Sequence, residues 1–246
     1  LSFATIWSFA PLPDGFTIQN YIVMWENSKQ FIANTVIYAG IAAVLDVIIG
    51  TAIAYIVIRT GIWGRKSLDY LATAALAVPG VVLGIGYLRV FHSIDIPFTD
   101  KPMASWWVII ALALMIRRLP YALRACTAAL QQVSLALEEA AESLGATKSS
   151  TIRRIVIPLM SGGILAGFVT SFATAAVELS ATIMLVSSES DAPLAYGIYL
   201  FMQTPSGRGA GAALGVVAVI IVGLGTFLSQ LMIERDKKFK STDQSH

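Results

Sequence analysis

FIANTVIYAGIAAVLDVIIGTAIAYIVI, residues 31–58, holds one charged side chain, Asp46, in an otherwise apolar run. A helix crosses the hydrocarbon core of a bilayer with about 20 mainly apolar residues, so this stretch is long enough to span one. Working outward, Leu68 to Val90 also qualifies, broken by Pro79-Gly80. Ala104 to Ile116 is short and continues past Arg117 and Arg118. Ile157 to Val186 qualifies with Glu178 inside it, and Gly209 to Ile233 closes the set. The expected fold is all-α, a polytopic transmembrane helix bundle of five spans.

Composition agrees. Of 246 residues, 56% are hydrophobic and 13% charged, with a mean hydropathy of +0.72. Soluble domains carry about 25% charged residues, and half that fraction cannot cover a water-soluble particle. The apolar surplus must face a lipid bilayer. One cysteine, Cys126, excludes an intramolecular disulfide and a Cys-based metal site.

The charges orient the spans. Three basic residues lie in Arg59 to Lys66, six in Arg117 to Arg154, and four follow Ile233 (Arg235, Lys237, Lys238, Lys240). Against these thirteen, the alternate connections hold four: Lys29, Arg89, Lys101 and Arg208. The basic side is cytoplasmic, which puts the C-terminus inside and the Ser187 to Gly207 loop outside. Trp106 and Trp107 suit the outer headgroup layer. Small-residue pairs (Gly80 with Gly84, Gly163 with Gly167, Gly211 with Gly215) permit close helix approach in lipid, although such spacings also arise incidentally in glycine-rich spans.

The long inside loop, residues 134–158, is the most informative segment. Ser134 can cap a short helix running to Leu144. Glu138 and Glu139 fall in its early turns, where the helix dipole favours negative charge. Gly145 is placed to end it in a left-handed conformation. Thr147 to Ser150 offers caps for a second helix carrying Arg153 and Arg154, and Pro158 constrains its junction with the fourth span. Ala140, Ala141 and Gly145 expose backbone suited to a groove on another protein. An interfacial helix resting on headgroups would satisfy the same pattern.

Glu139-Ala140-Ala141, three residues, Gly145, nine residues, then Ile155, Ile157 and Pro158 resembles the EAA signature of binding-protein-dependent ABC transporter permeases, with Ile157 where Leu is usual. The stretches 11–21 (PLPDGFTIQNY), 77–88 (AVPGVVLGIGYL), 117–125 (RRLPYALRA) and 177–185 (VELSATIML) are similar to the ferric-iron type within that family. Permeases for 2-aminoethylphosphonate, sugar phosphates, thiamine and sulfate share much of this pattern. The resemblance implies one permease domain over residues 1–246, in a bacterial inner membrane, whose coupling helix seats in a nucleotide-binding subunit. Glu139 would contact that subunit and Gly145 would make the turn. Implied partners are two copies of an ATPase subunit carrying Mg-ATP, an extracytoplasmic substrate-binding protein and a second permease module (in a homodimer, a heterodimer or a fused half), with no cofactor in this chain and no nucleic acid. Leu1 to Ala10 shows no signal-peptide pattern and reads as the tail of an earlier membrane helix, so the chain resembles the second half of a two-module permease.

Charged groups inside a bilayer are costly and usually face a polar interior. Glu178, followed by Ser180 and Thr182, is therefore expected to line the translocation route, and Asp46 to make a structural bond rather than line it, although either carboxylate could play either part. Pro79-Gly80 suits a gate or a packing kink. Carboxylates would favour a cation, whereas Arg89 and Arg208 would favour an anion. His92 has no neighbouring His with which to bind a metal. The chain has no G-x-x-x-x-G-K-[ST] loop and is not expected to hydrolyse ATP. An ion-gradient-driven transporter would explain Asp46 and Glu178 but leave the Glu139 to Pro158 pattern idle. A membrane-embedded enzyme has no HExxH pair or Ser/His site to rest on.

Overall fold

The computed structural model describes residues 2–3 and 17–243, with backbone alone at 228–229 and 232–243. The 31–58 run lies inside a longer helix, α1 (Gln19–Arg59, 41 residues), about 60 Å at 1.5 Å per residue. It starts before Phe31 because the 19–30 segment has no proline or glycine to stop it. The Thr17 hydroxyl also accepts the Gln19 N–H at 3.1 Å, a local turn that launches the helix. Met24, Phe31, Thr35, Tyr38, Ala42, Asp46, Gly50 and Ile53 are buried, a stripe at helical spacing. The opposite face is apolar too: Ile37, Val44 and Ile48 are 50%, 47% and 59% exposed. From Asn34 onward the helix turns Asn34, Thr35 and Asp46 inward and these aliphatic side chains outward, a pattern built for lipid, not water.

The remaining helices are α2 (Arg65–Ala74), α3 (Gly80–Phe91), α4 (Trp107–Gln131), α5 (Leu135–Ser143), α6 (Lys148–Thr151), α7 (Ile157–Leu159), α8 (Ser161–Ala176), α9 (Thr182–Leu185), α10 (Leu194–Met202) and α11 (Arg208–Asp243). Among the described residues the fold is all-helical, with one isolated bridge between Asp95 and Pro102.

Several expected spans are re-bounded. Among the described residues two helical stretches, Gln19–Arg59 and Pro205–Phe227, are long and apolar enough to cross a membrane alone, with a third if the bent pair Lys148–Leu159 and Ser161–Ala176 is one span. The Leu68 to Val90 run is not one kinked helix. It breaks after Ala74, and Pro79 starts α3 with its carbonyl accepting the Leu83 N–H at 3.1 Å. The third run begins at Trp107, not Ala104, and continues through Arg117, Arg118 and Pro120. In the fourth, Ile157 to Val186, helix gives way between Ala176 and Thr182, so Glu178 sits in a break, not inside a helix. The Leu1 to Ala10 reading and the basic side chains after Ile233 lie outside the described residues, apart from Ser2 and Phe3.

The chain folds as two compact units. One comprises Leu1–Ala42, Val78–Met115 and Ala173–Leu224, with a core of Met24, Phe31, Leu194, Ala213 and Leu214. The Asn34 amide donates to the Ser190 and Ala192 carbonyls (2.7 and 3.0 Å), and the Thr35 hydroxyl accepts the Leu194 N–H (2.6 Å). These bonds pin the 186–193 loop to α1. α3 meets α9 at Gly84, where a Cβ would lie 2.8 Å from that of Met184.

The other unit comprises Ala43–Ala77, Ile116–Phe172 and Gly225–His246. Its core is Ile53, Leu119, Leu123, Cys126, Leu130, Val133, Val156 and Met160. α8 approaches α4 through the expected small pair. A Cβ on Gly163 would stand 2.3 Å from the Ala129 Cβ, and one on Gly167 would stand 3.2 Å from the Ala122 Cα. The Gly211 and Gly215 pair does not behave this way, since Gly215 has nothing within 4 Å.

Candidate functional site: an exposed helix between α4 and α8

After α4 the chain turns and enters α5. The Ser134 hydroxyl makes no capping bond, contrary to the sequence expectation; its carbonyl accepts the Leu137 N–H at 3.2 Å. The other end behaves as read. Gly145 has φ +88°, its N–H donates to the Glu142 carbonyl (2.9 Å), and the Ala146 N–H donates to the Ala141 carbonyl (3.0 Å). This pair of bonds is the Schellman arrangement that satisfies the last carbonyls of a helix. Thr147 then accepts the Ser150 N–H at 3.4 Å and starts α6.

α6 runs into a π-helical turn, Ile152–Val156, in which the Ile157 N–H reaches back to the Ile152 carbonyl. That turn precedes Pro158, which has no N–H to give, and a 69° bend separates the 148–159 helix from α8. Val156 and Met160, 1% exposed each, seat this segment in the core beside Leu123 and Ile53. Of the expected docking residues here, Ile155 is half-buried and Pro158 exposed.

α5 itself is exposed along almost its whole length. Glu139 and Ala140 lie on the outside; Ala141 is half-buried, and Leu144 just beyond the helix is 90% exposed. The exception is Glu138, 5% exposed. Its carboxylate accepts from Arg59 Nε at 2.7 Å and from the Tyr55 hydroxyl at 3.2 Å. One Arg59 nitrogen also donates to the Val133 and Leu130 carbonyls at 2.5 and 3.3 Å. Adjacent glutamates thus have opposite fates, which periodicity alone did not separate. Breaking a buried ion pair costs about 3–5 kcal/mol, because a charge is left uncompensated.

Gly145→Val should lower the thermal midpoint of the purified protein in detergent by a few degrees. No atom lies within 4 Å of a Cβ there, so the cost is the left-handed backbone alone, about 1–2 kcal/mol. Gly145→Asn should recover most of that loss.

The expected pathway residues fall in different units. Asp46 is fully buried, accepts the Ser171 hydroxyl, and feels the Arg118 charge. Glu178 is 6% exposed, and its carboxylate accepts the Ala181 N–H at 3.3 Å. The Thr182 hydroxyl donates to the Glu178 carbonyl at 2.8 Å. Ser180 and Pro79 are exposed, whereas Gly80 is buried. Among the described residues there is no group of three or more His, Cys, Asp or Glu able to hold a metal ion.

A family model described as "Binding-protein-dependent transport system inner membrane component" matches residues 46–239. The chain belongs to this family: it is an inner-membrane permease component of such a system, not its ATPase. It is 34% identical over 214 residues to the ferric transport system permease protein FbpB of Actinobacillus pleuropneumoniae, covering 84% of this chain and 30% of that protein. It is 30% identical over 198 residues to the molybdenum transport system permease protein ModB of Haemophilus influenzae, covering 76% of this chain and 85% of that protein. The chain therefore spans less than a third of the ferric permease's length. The crystal structure of a bacterial ABC transporter involved in alginate import shares the fold, with a TM-score of 0.72 and 17% identity over 91% of this chain and 85% of that one.

Proposed function

We propose that this chain is a permease module of an ATP-driven importer, moving ferric iron handed over by an extracytoplasmic binding protein. The observation that carries the proposal is α5, a helix capped at its end by Gly145, exposed along Glu139 and Ala140, and held to the body through Glu138. An exposed short helix so firmly anchored suits a cleft in an ATPase subunit, with Glu139, Ala140, Ala141 and Gly145 meeting it and Ile155 and Pro158 supporting the frame. Two ATPase copies carrying Mg-ATP and a second permease module complete the assembly. The chain crosses the membrane five times, with α5 and the C-terminus on the cytoplasmic side, as the thirteen-to-four distribution of basic residues supports. A gradient-driven transporter would leave α5 without a task.

Iron is supported by the ferric permease at 34% identity and by Glu178, a buried carboxylate in a helix break, where exposed backbone is tolerated beside a polar route. We assign Glu178, with Ser180 and Thr182, to that route, Pro79-Gly80 to its gate, and Asp46 to packing within its own unit, where it accepts the Ser171 hydroxyl. An oxyanion is the second reading, favoured by the molybdenum permease, which this chain matches over 85% of its length. Proteoliposomes holding the complete complex, its binding protein and ATP should accumulate radioactive Fe3+ and leave molybdate and sulfate outside. The reverse preference would select the oxyanion reading.

A further inference from the structure

We propose that Arg59, Tyr55 and Glu138 form a rigid joint through which α5 moves α1, making these three the positioning residues of the coupling step. The inference rests on reading α5 as the ATPase-docking helix. A push on α5 can reach the body only through what α5 touches, and its single buried side chain is Glu138. That carboxylate takes two bonds from the last turns of α1, at 2.7 and 3.2 Å. The same guanidinium donates to the Leu130 and Val133 carbonyls, where α4 ends. One side chain therefore ties three elements: the end of α1, the end of α4 and the start of α5.

The pair is shielded, with the Arg59 and Glu138 side chains 11% and 7% exposed, so water and salt loosen it little. Charge-assisted bonds from a planar guanidinium fix direction as well as distance. α5 also touches α6 and the π-helical turn, but the apolar seat of that turn at Val156 and Met160 has no such directionality. Lysine cannot replace Arg59, because one ammonium cannot reproduce the fork that serves a carboxylate and two carbonyls together.

The test uses the complex of this chain with its co-purifying ATPase in nanodiscs, with spin labels on Ile48→Cys and Ser143→Cys. Both sites are exposed, whereas the native Cys126 is fully buried. Trapping with ATP and vanadate should leave the Ile48–Ser143 distance unchanged in the wild type, because α1 and α5 move as one body. In Glu138→Gln and Arg59→Lys, trapping should shift or broaden that distance by several ångströms, and Tyr55→Phe should show a smaller shift. A merely structural role predicts no dependence on nucleotide. If Arg59→Lys fails to insert, Tyr55→Phe deletes a single hydroxyl and still decides. Variant distances that ignore nucleotide, or a wild-type distance that changes on trapping, would overturn the joint while leaving docking intact. A wild-type chain that captures no ATPase would overturn the docking reading and the joint with it.

Discussion

Gly163→Leu should abolish accumulation of folded protein in the membrane. The bare Cβ of any larger residue would stand 2.3 Å from the Ala129 Cβ and 3.2 Å from the Ala125 carbonyl oxygen. The opposing atoms belong to the body of α4, not to the end of a flexible side chain. That stretch of α4 also carries Leu123, Cys126 and Leu130, all fully buried in the core of the same unit. α8 would have to withdraw, and the contacts that give membrane helices their association energy come from such close approach. Overpacking a core by a methylene or two typically costs about 1–3 kcal/mol, and a whole isobutyl group against backbone should cost more. Gly163→Ala should already lower the thermal midpoint of the detergent-solubilised protein. Gly162→Ala, one residue away with nothing within 4 Å of its Cβ, should change it little. Equal behaviour of the two alanine variants would contradict the α4–α8 packing.

Ala140→Trp should leave the fold intact and eliminate docking. Ala140 is exposed on α5, so an indole there meets solvent in the free chain. In the proposed assembly it would be forced into a cleft that fits a methyl group. Disrupting an interface hot spot costs about 2 kcal/mol or more, at least about a thirtyfold loss of ATPase capture in co-purification. Gln132→Trp, exposed in the turn before α5, should retain capture. Thermal midpoints of both variants should match the wild type, separating docking from stability.

The class of fold was legible because lipid imposes it: runs such as 31–58 cannot be reconciled with a water-facing surface. Helix termination was legible wherever one residue decides it. Gly145 takes the left-handed turn, and Gly163 and Gly167 form a close contact. Continuity was harder to read. Hydropathy counts apolar residues and does not register a broken helix, so the breaks at 75–79 and 177–181 were folded into spans. α4 continues through Arg117 and Arg118 as the sequence suggests, and carries Pro120 buried within it. The α5 frame was visible through its local motif, but its anchor was not. Arg59 and Glu138 lie 79 positions apart, and no spacing rule joins them. Adjacent glutamates look alike until tertiary structure turns one inward.

If α5 docks as proposed, it lies in a cleft of an ATPase subunit. The direct measurement is photo-cross-linking from Glu139→Cys, carried out in native membranes with a thiol-linked photoprobe and read by mass spectrometry, with Cys126 buried and silent. A docked α5 gives an adduct joining position 139 to the ATPase subunit. Adducts with lipid alone, in membranes where the ATPase is present and assembled with this chain, would contradict it.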